Sequence, residues 1–301
     1  MFKHLCPASL GIRGREGELI ELSLSHGFKG FDLDIEQFHR QVERNGLARA
    51  RRLFDSARLK FGWFRLPVDF DGDDPAYGRE LERLGVLAEL AAQVGCQRCR
   101  ATVPPAGDVR PYHESFELYR RRFGEIAAVL APHDIRLGID FVAPASRRRD
   151  RAFQFIHTFD ELLHLVHGVD AENVGLALDV WHWHVSGGRM EQIEALDGSA
   201  IVALDLADAT TTAGDDDNAE EDARELPGTS GEIDAAAILA VLVDRGFDGP
   251  VSPVAHRSRF QAMKDDQIAA TATAALDEVF AAAGLSKSGK PLRTESRAGG
   301  R

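Results

Sequence analysis

The stretch NVGLALDVWHWHVSGG, Asn173 to Gly188, sets the reading of the whole chain. Five residues suited to a buried strand run straight into Asp179, two tryptophans and two histidines, and the segment breaks at Gly187 and Gly188. Acids interrupt apolar runs in the same way at Asp140 in LGIDF and at Asp205 in VALDL. An unpaired carboxylate in such a run is expensive to bury, so each of these acids calls for a partner.

Outward from this segment the chain alternates short β-prone runs with longer stretches whose apolar residues recur every three or four positions. Eight strand candidates appear: HLCPASLGI, FKGFDLDI, LKFGWFRLPV, CQRCRATV, IRLGIDFVA, NVGLALDVWHW, AIVALDLADA and GPVSPVAH. The clearest helices are GRELERLGVLAELAAQVG, HESFELYRRRFGEIAAVLAPH, EIDAAAILAVLVDRGF and DDQIAATATAALDEVFAAAGL. Eight βα units within residues 1–285 predict a single-domain α/β fold, the (β/α)8 TIM barrel, rather than an open doubly wound sheet. Two segments fall outside the pattern. The acidic insertion at about residues 210–226 reads as a surface excursion, and the polar tail 286–301 reads as disordered.

A composition of 44% hydrophobic and 28% charged residues is that of a globular protein. The formal charge of −12 argues against a nucleic-acid partner, because phosphate backbones repel an acidic surface. The run RRRDR, Arg147 to Arg151, is too short to reverse that and reads as a solvated loop. No apolar stretch is long enough for a membrane span or a secretory signal, so a cytoplasmic protein with no membrane contact is expected. Cys96 and Cys99 form a CxxC within a strand candidate and read as buried thiols rather than a redox centre. Composition leaves room for a homo-oligomer.

In a barrel of this kind function gathers at the C-terminal ends of the strands. Those ends carry Asp32 and Asp34, Arg65 and Asp69, Asp140, Asp179 and His182, Asp205 and Asp208, and His256. Three acids on consecutive strands, Asp140, Asp179 and Asp205, can converge on a divalent cation that offsets their repulsion. All-oxygen ligation suits Mg or Mn, and adding His182 admits Co or Zn. Each acid alone reads first as a helix cap or an acceptor for loop amides, and it is the three in a row that point to a site. Trp181 and Trp183 can stack on a sugar ring or pack beneath a loop, and His184 points elsewhere.

Taken together, NVGLALDVWHWHVSGG, IVALDLADA, LPGTSGEIDAAAILAVLVDRGFDGPVSP and LYRRRFGEIAAVLAPHDIRLGIDF resemble the xylose-isomerase-like barrel proteins, the group of sugar phosphate isomerases and epimerases. The likeness spans about residues 3 to 284. It implies a divalent metal held by Glu, Asp, His and Glu on strands five to eight, with the two glutamates as the acid-base pair. Asp179 matches the metal aspartate and His182 the substrate-contacting histidine. The sequence departs at Asp140, one methylene shorter than the expected glutamate, at Asp205 in place of histidine, and at Val254 in place of the second glutamate.

These readings give Asp140, Asp179 and Asp205 as metal ligands, Asp140 and His182 as catalytic groups, and His182, Trp181 and His256 as substrate contacts. The implied activity is metal-assisted proton transfer beside a carbonyl of a small sugar or keto-acid. The competing reading is a non-catalytic barrel that binds a sugar-like ligand or a protein partner, for which Val254 is the main support. An abasic-site endonuclease would require more His and Glu ligands and a basic face.

Overall fold

Parallel pairing of eight strands, each with its neighbours in the series, closes a ring in the computed structural model, which describes residues 1–292. The strands are β1 (Phe2–Leu5), β2 (Gly30–Leu33), β3 (Lys60–Arg65), β4 (Arg98–Thr102), β5 (Arg136–Asp140), β6 (Val174–Asp179), β7 (Ile201–Leu206) and β8 (Pro250–Pro253). The ring closes where Phe2 and Lys3 of β1 lie opposite Pro250 and Val251 of β8. The chain is the (β/α)8 barrel that the alternation predicts.

Between the strands run α1 (Glu16–Ser25), α2 (Ile35–Asn45), the short α3 (Leu47–Ala50) and α4 (Arg52–Ala57), α5 (Asp74–Gln93), α6 (Tyr112–Leu130) and α7 (Phe159–Val169). After β6 come α8 (Val180–Val185) and α9 (Met190–Glu194), and then α10 (Ala235–Asp244) and α11 (Asp265–Ala282). Local chemistry starts them. Asp73 caps α5 by accepting from the Ala76 amide at 2.8 Å, with Pro75 in the first turn. Thr158 and Glu161 form a capping box on α7.

Inside the ring the side chains are small where the strands approach most closely. A methyl on Gly138 would come within 2.9 Å of Val202 Cβ, and one on Gly62 would strike the His4 ring. Ala177 and Ala203 pack with Cys6 and Trp63 in a cluster separate from the main apolar core. Two residues further along β5, β6 and β7, on the same face, stand Asp140, Asp179 and Asp205. The narrow interior thus carries its polar groups at the C-terminal end.

The tail differs from expectation over the part described. Residues 286–292 fold back, with Leu292 donating to the Gly284 carbonyl at 2.8 Å and Lys287 paired with Asp277 at 3.0 Å. Residues 293–301 lie outside the described residues. Among the described residues no helix is long and apolar enough to cross a membrane.

Candidate active site

The DVWH segment folds through its own carboxylate. Asp179 ends β6, and its Oδ1 accepts from the backbone N–H groups of Trp181 at 3.0 Å and His182 at 3.4 Å. That cap starts α8 at once, so VWHWHV is a helical turn rather than the continued strand that its alternation suggests. The helix ends at Val185, and the chain turns away through Gly187, whose φ of +80° glycine adopts readily. The turn places His182 over the barrel mouth beside Asp179.

Two arginines then neutralise the acids. Arg100, on β4, donates from Nε and Nη2 to Asp140 Oδ2 at 2.9 and 2.6 Å, and from Nη1 to Asp205 Oδ2 at 2.5 Å. Its side chain is 14% exposed and its guanidinium lies 5.4 Å from the Trp63 ring centre. Arg224 donates from Nη1 to Asp179 Oδ2 at 2.8 Å, with Nη2 3.1 Å from His182 Nε2 and the guanidinium over the Trp181 ring at 4.6 Å. Burial would raise the Asp179 carboxyl, but Arg224, His182 and Arg100 outweigh it and bring it down to about 2. Burial raises Asp140 despite Arg100. Burial, with Arg224 and Arg100 nearby, pulls His182 down to about 3 against the attraction of Asp179, so the ring is neutral.

A divalent cation requires carboxylate lone pairs that converge on it. Here Oδ1 of Asp140 and of Asp205 keeps a bare lone pair, but Oδ2 of both accepts from Arg100, both oxygens of Asp179 are engaged, and Val254 offers none, so the cation between the acids is the guanidinium. A guanidinium about 4 Å from a doubly charged ion repels it by about 8 kcal/mol at an effective dielectric constant of roughly 20. Asp140, Asp179 and Asp205, as arranged, do not fit Mg, Mn, Co or Zn. Among the described residues no group of three or more His, Cys, Asp or Glu side chains is placed to hold a metal.

These groups line a cavity of about 1010 Å³ together with Cys6, Asp32, Trp63, Arg65, Thr102 and Val254. Asp32, at the end of β2, receives only a long contact from the Cys6 thiol at 3.8 Å, and its Oδ1 is buried without a partner. Burial pushes its carboxyl up to about 7, so it can take or release a proton at neutral pH. Oδ1 of Asp140 and Oδ1 of Asp205 are likewise buried and unpartnered.

Of the residues singled out from sequence, Asp140, Asp179, Asp205 and His182 are brought together at the cavity. Trp181 is not a cavity-lining residue; it is fully buried and carries Arg224 on its face. His256 is not brought in either: β8 ends at Pro253, so strand alternation no longer applies, and the exposed ring bonds Ser258 Oγ at 2.8 Å. His184 is buried with Nε2 2.8 Å from the Thr211 carbonyl. Asp208 is structural, its two oxygens accepting from the amides of Ala209, Ser230, Gly231 and Ile233. Cys96 and Cys99 are buried free thiols, raised by that burial.

Arg100 and Arg224 are charged cavity-lining residues that sequence reading missed. Arg100 sat in a strand candidate noted for its cysteines, although two-residue alternation already places it on one face with Thr102. Arg224 lies in the acidic insertion, which proves to be more than a surface excursion. Asp208 and Ala209 pair antiparallel with Glu225 and Arg224, burying Arg224. The insertion also docks on the basic run: Arg148 pairs with Asp216, and Ser146 donates to Glu220 at 3.0 Å. Arg148 is therefore a half-buried partner of the insertion, while Arg147, Arg149, Asp150 and Arg151 around it are exposed as a solvated loop would be.

The barrel and its strand-end acids define the class. The family model described as xylose isomerase-like TIM barrel matches residues 20–278. The chain belongs to this family, whose relatives include sugar-type isomerases and epimerases. The inosose isomerase of Bacillus subtilis (strain 168) is 28% identical over 148 residues, 49% of this chain and 50% of that protein. The chain thus spans about half the length of that relative. A xylose isomerase domain protein from Alicyclobacillus acidocaldarius superposes with a TM-score of 0.84 at 25% identity, over 94% of this chain and 99% of that one. The IOLI protein, whose crystal structure has a bound zinc atom, superposes with a TM-score of 0.77 at 19% identity, over 93% and 98%.

Proposed function

We propose that the protein moves a proton beside the carbonyl of a small polyhydroxylated compound, as an isomerase or epimerase of a sugar, a keto-acid or an inosose-like ring ketone. The observation that carries this reading is a single cavity in which Asp32, able to exchange a proton near pH 7, shares the walls with buried carboxylates and guanidiniums. In such a reaction a base removes the C–H proton next to the carbonyl. The electron pair moves onto the carbonyl oxygen as an enediolate, and a proton returns to the neighbouring carbon or to the opposite face. Asp32 takes the proton and, once protonated, returns it to the enediolate carbon, the remaining Arg100 N–H groups hold the developing oxyanion, and Asp140 with its free Oδ1 orients a hydroxyl. The neutral His182 ring, with Nδ1 facing the Ala143 N–H at 3.3 Å and Nε2 facing Arg224 at 3.1 Å, lines the cavity and meets a substrate hydroxyl only where that hydroxyl displaces the Arg224 contact. Arg13 and Arg65, which also line the cavity, supply charge for a phosphate or carboxylate on the substrate. Three free thiols suit a reducing, cytoplasmic setting.

A second reading, a barrel that binds such a ligand without converting it, is favoured by Val254 at the place of the second glutamate. Incubation with ketoses, inososes and keto-acids, with products separated by chromatography, decides between them. Conversion that disappears in Asp32→Asn supports the isomerase. Saturable binding with every compound recovered unchanged establishes the second reading.

A further inference from the structure

We propose that the Arg100 guanidinium, held between Asp140 and Asp205, stands where a metal-dependent barrel of this kind places its cation, and that the site works with this fixed organic charge and no divalent metal. The inference rests on the isomerase reading for its chemistry, but its geometry is independent of turnover.

Three features support it. Arg100 reaches carboxylates on two different strands at once, which is the bridging task of a metal among strand-end acids. The fourth position that would complete a cation site is Val254, which has no lone pair and lines the same cavity. The guanidinium rests against the Trp63 ring, and a planar charge with five donors gains from such a face where a metal ion would not. A guanidinium also keeps donors in reserve. Nη1 and Nη2 each carry two N–H bonds and use one toward a carboxylate, so each retains one to offer a substrate oxygen. Toward an enediolate, Arg100 therefore supplies directed hydrogen bonds and a positive charge that needs no loading.

Metal titration of the purified full chain tests this. Calorimetry with MnCl₂ and with ZnCl₂ after EDTA treatment is expected to show no saturable site in the wild type up to millimolar metal. It is expected to show a new one-to-one site in Arg100→Ala, where Asp140 and Asp205 are freed of that guanidinium. Thermal unfolding provides the second readout: at a roughly hundredfold excess over Kd, metal should raise the melting temperature of Arg100→Ala by on the order of 5 °C and leave the wild type unmoved. Arg100→Ala that folds only when metal is present is the same result in a stronger form. The wild-type titration decides even if the variant is insoluble: one equivalent of Mn or Zn, lost in Asp179→Ala, overturns the proposal. A folded Arg100→Ala that gains no metal affinity overturns it too. Failure to turn over any ketone leaves these titrations unchanged, so loss of the isomerase reading is distinguishable from loss of this one.

Discussion

Arg100 Nε and Nη2 both donate to a single oxygen of Asp140, Oδ2, at 2.9 and 2.6 Å, and leave Oδ1 of that carboxylate buried and bare. With Asp205 on Nη1, one guanidinium compensates two buried carboxylates. Arg100→Met keeps the bulk and removes the charge. It should cost about 3–5 kcal/mol in urea unfolding near pH 7, the usual penalty for stranding buried charge. A loss below about 1 kcal/mol would mean that the acids are neutral or solvated in the native state.

Arg224 and Asp179 act on His182 in opposite senses. Burial lowers the imidazole most, Asp179 raises it and Arg224 lowers it, with the balance at about 3. Removing the guanidinium in Arg224→Ala leaves the Asp179 attraction unopposed by its nearest cation. The His182 ring resonances, followed by NMR, should then titrate at a higher pH than in the wild type. An unchanged or lower midpoint would contradict the pairing.

Asp208 should matter to stability and not to the cavity. Its oxygens accept four backbone N–H bonds that hold residues 230–233 against the end of β7. Asp208→Ala strands buried donors at about 1–3 kcal/mol each, offset where water can enter. Hydrogen exchange at Ser230, Gly231 and Ile233 should accelerate while ligand affinity changes little. Equal protection in variant and wild type would assign the loop's order to other contacts.

The barrel was legible because its signals are local. Period-two and period-3.6 patterns set the strands and long helices, and LALDV, LGIDF and VALDL marked three strand ends that do meet. The end of β6 was misleading: Trp and His alternate through residues 181–184 as they would in a strand, yet the Asp179 side chain caps the segment into a helix. His256 failed for a related reason, since parity beyond Pro253 carries no meaning once the strand stops. The two arginines were hidden because their partners are distant. Arg100 meets Asp205 across 105 positions and Arg224 meets Asp179 across 45, and no local pattern reports such pairings.

Acid should destabilise the fold through its buried imidazoles. His4, bonded to Ser252 Oγ at 2.9 Å, and His182 are pulled by burial from 6.5 to about 3. The unfolded chain therefore binds more protons between these values, so their contribution is full above about pH 6.5 and is lost as pH falls toward about 3. Asp32, raised from 3.8 to about 7, works the other way: its contribution is full below about pH 4 and is lost as pH rises toward about 7. His4→Gln should flatten the rise in urea midpoint between pH 4.5 and 7, and Asp32→Asn should steepen it. The reverse pattern would contradict both burial assignments.

Solvent deuterium incorporation reads metal-free proton transfer through Asp32 directly. EDTA-treated protein would be incubated in D₂O with an inosose-type ketone, and the signal of the proton beside the carbonyl followed by NMR from pH 5.5 to 8.5. That signal should be lost at a rate that rises through a midpoint near pH 7, as the Asp32 carboxyl ionises, and that collapses in Asp32→Asn. Exchange that appears only when Mn or Zn is restored, or that survives in Asp32→Asn, would contradict it.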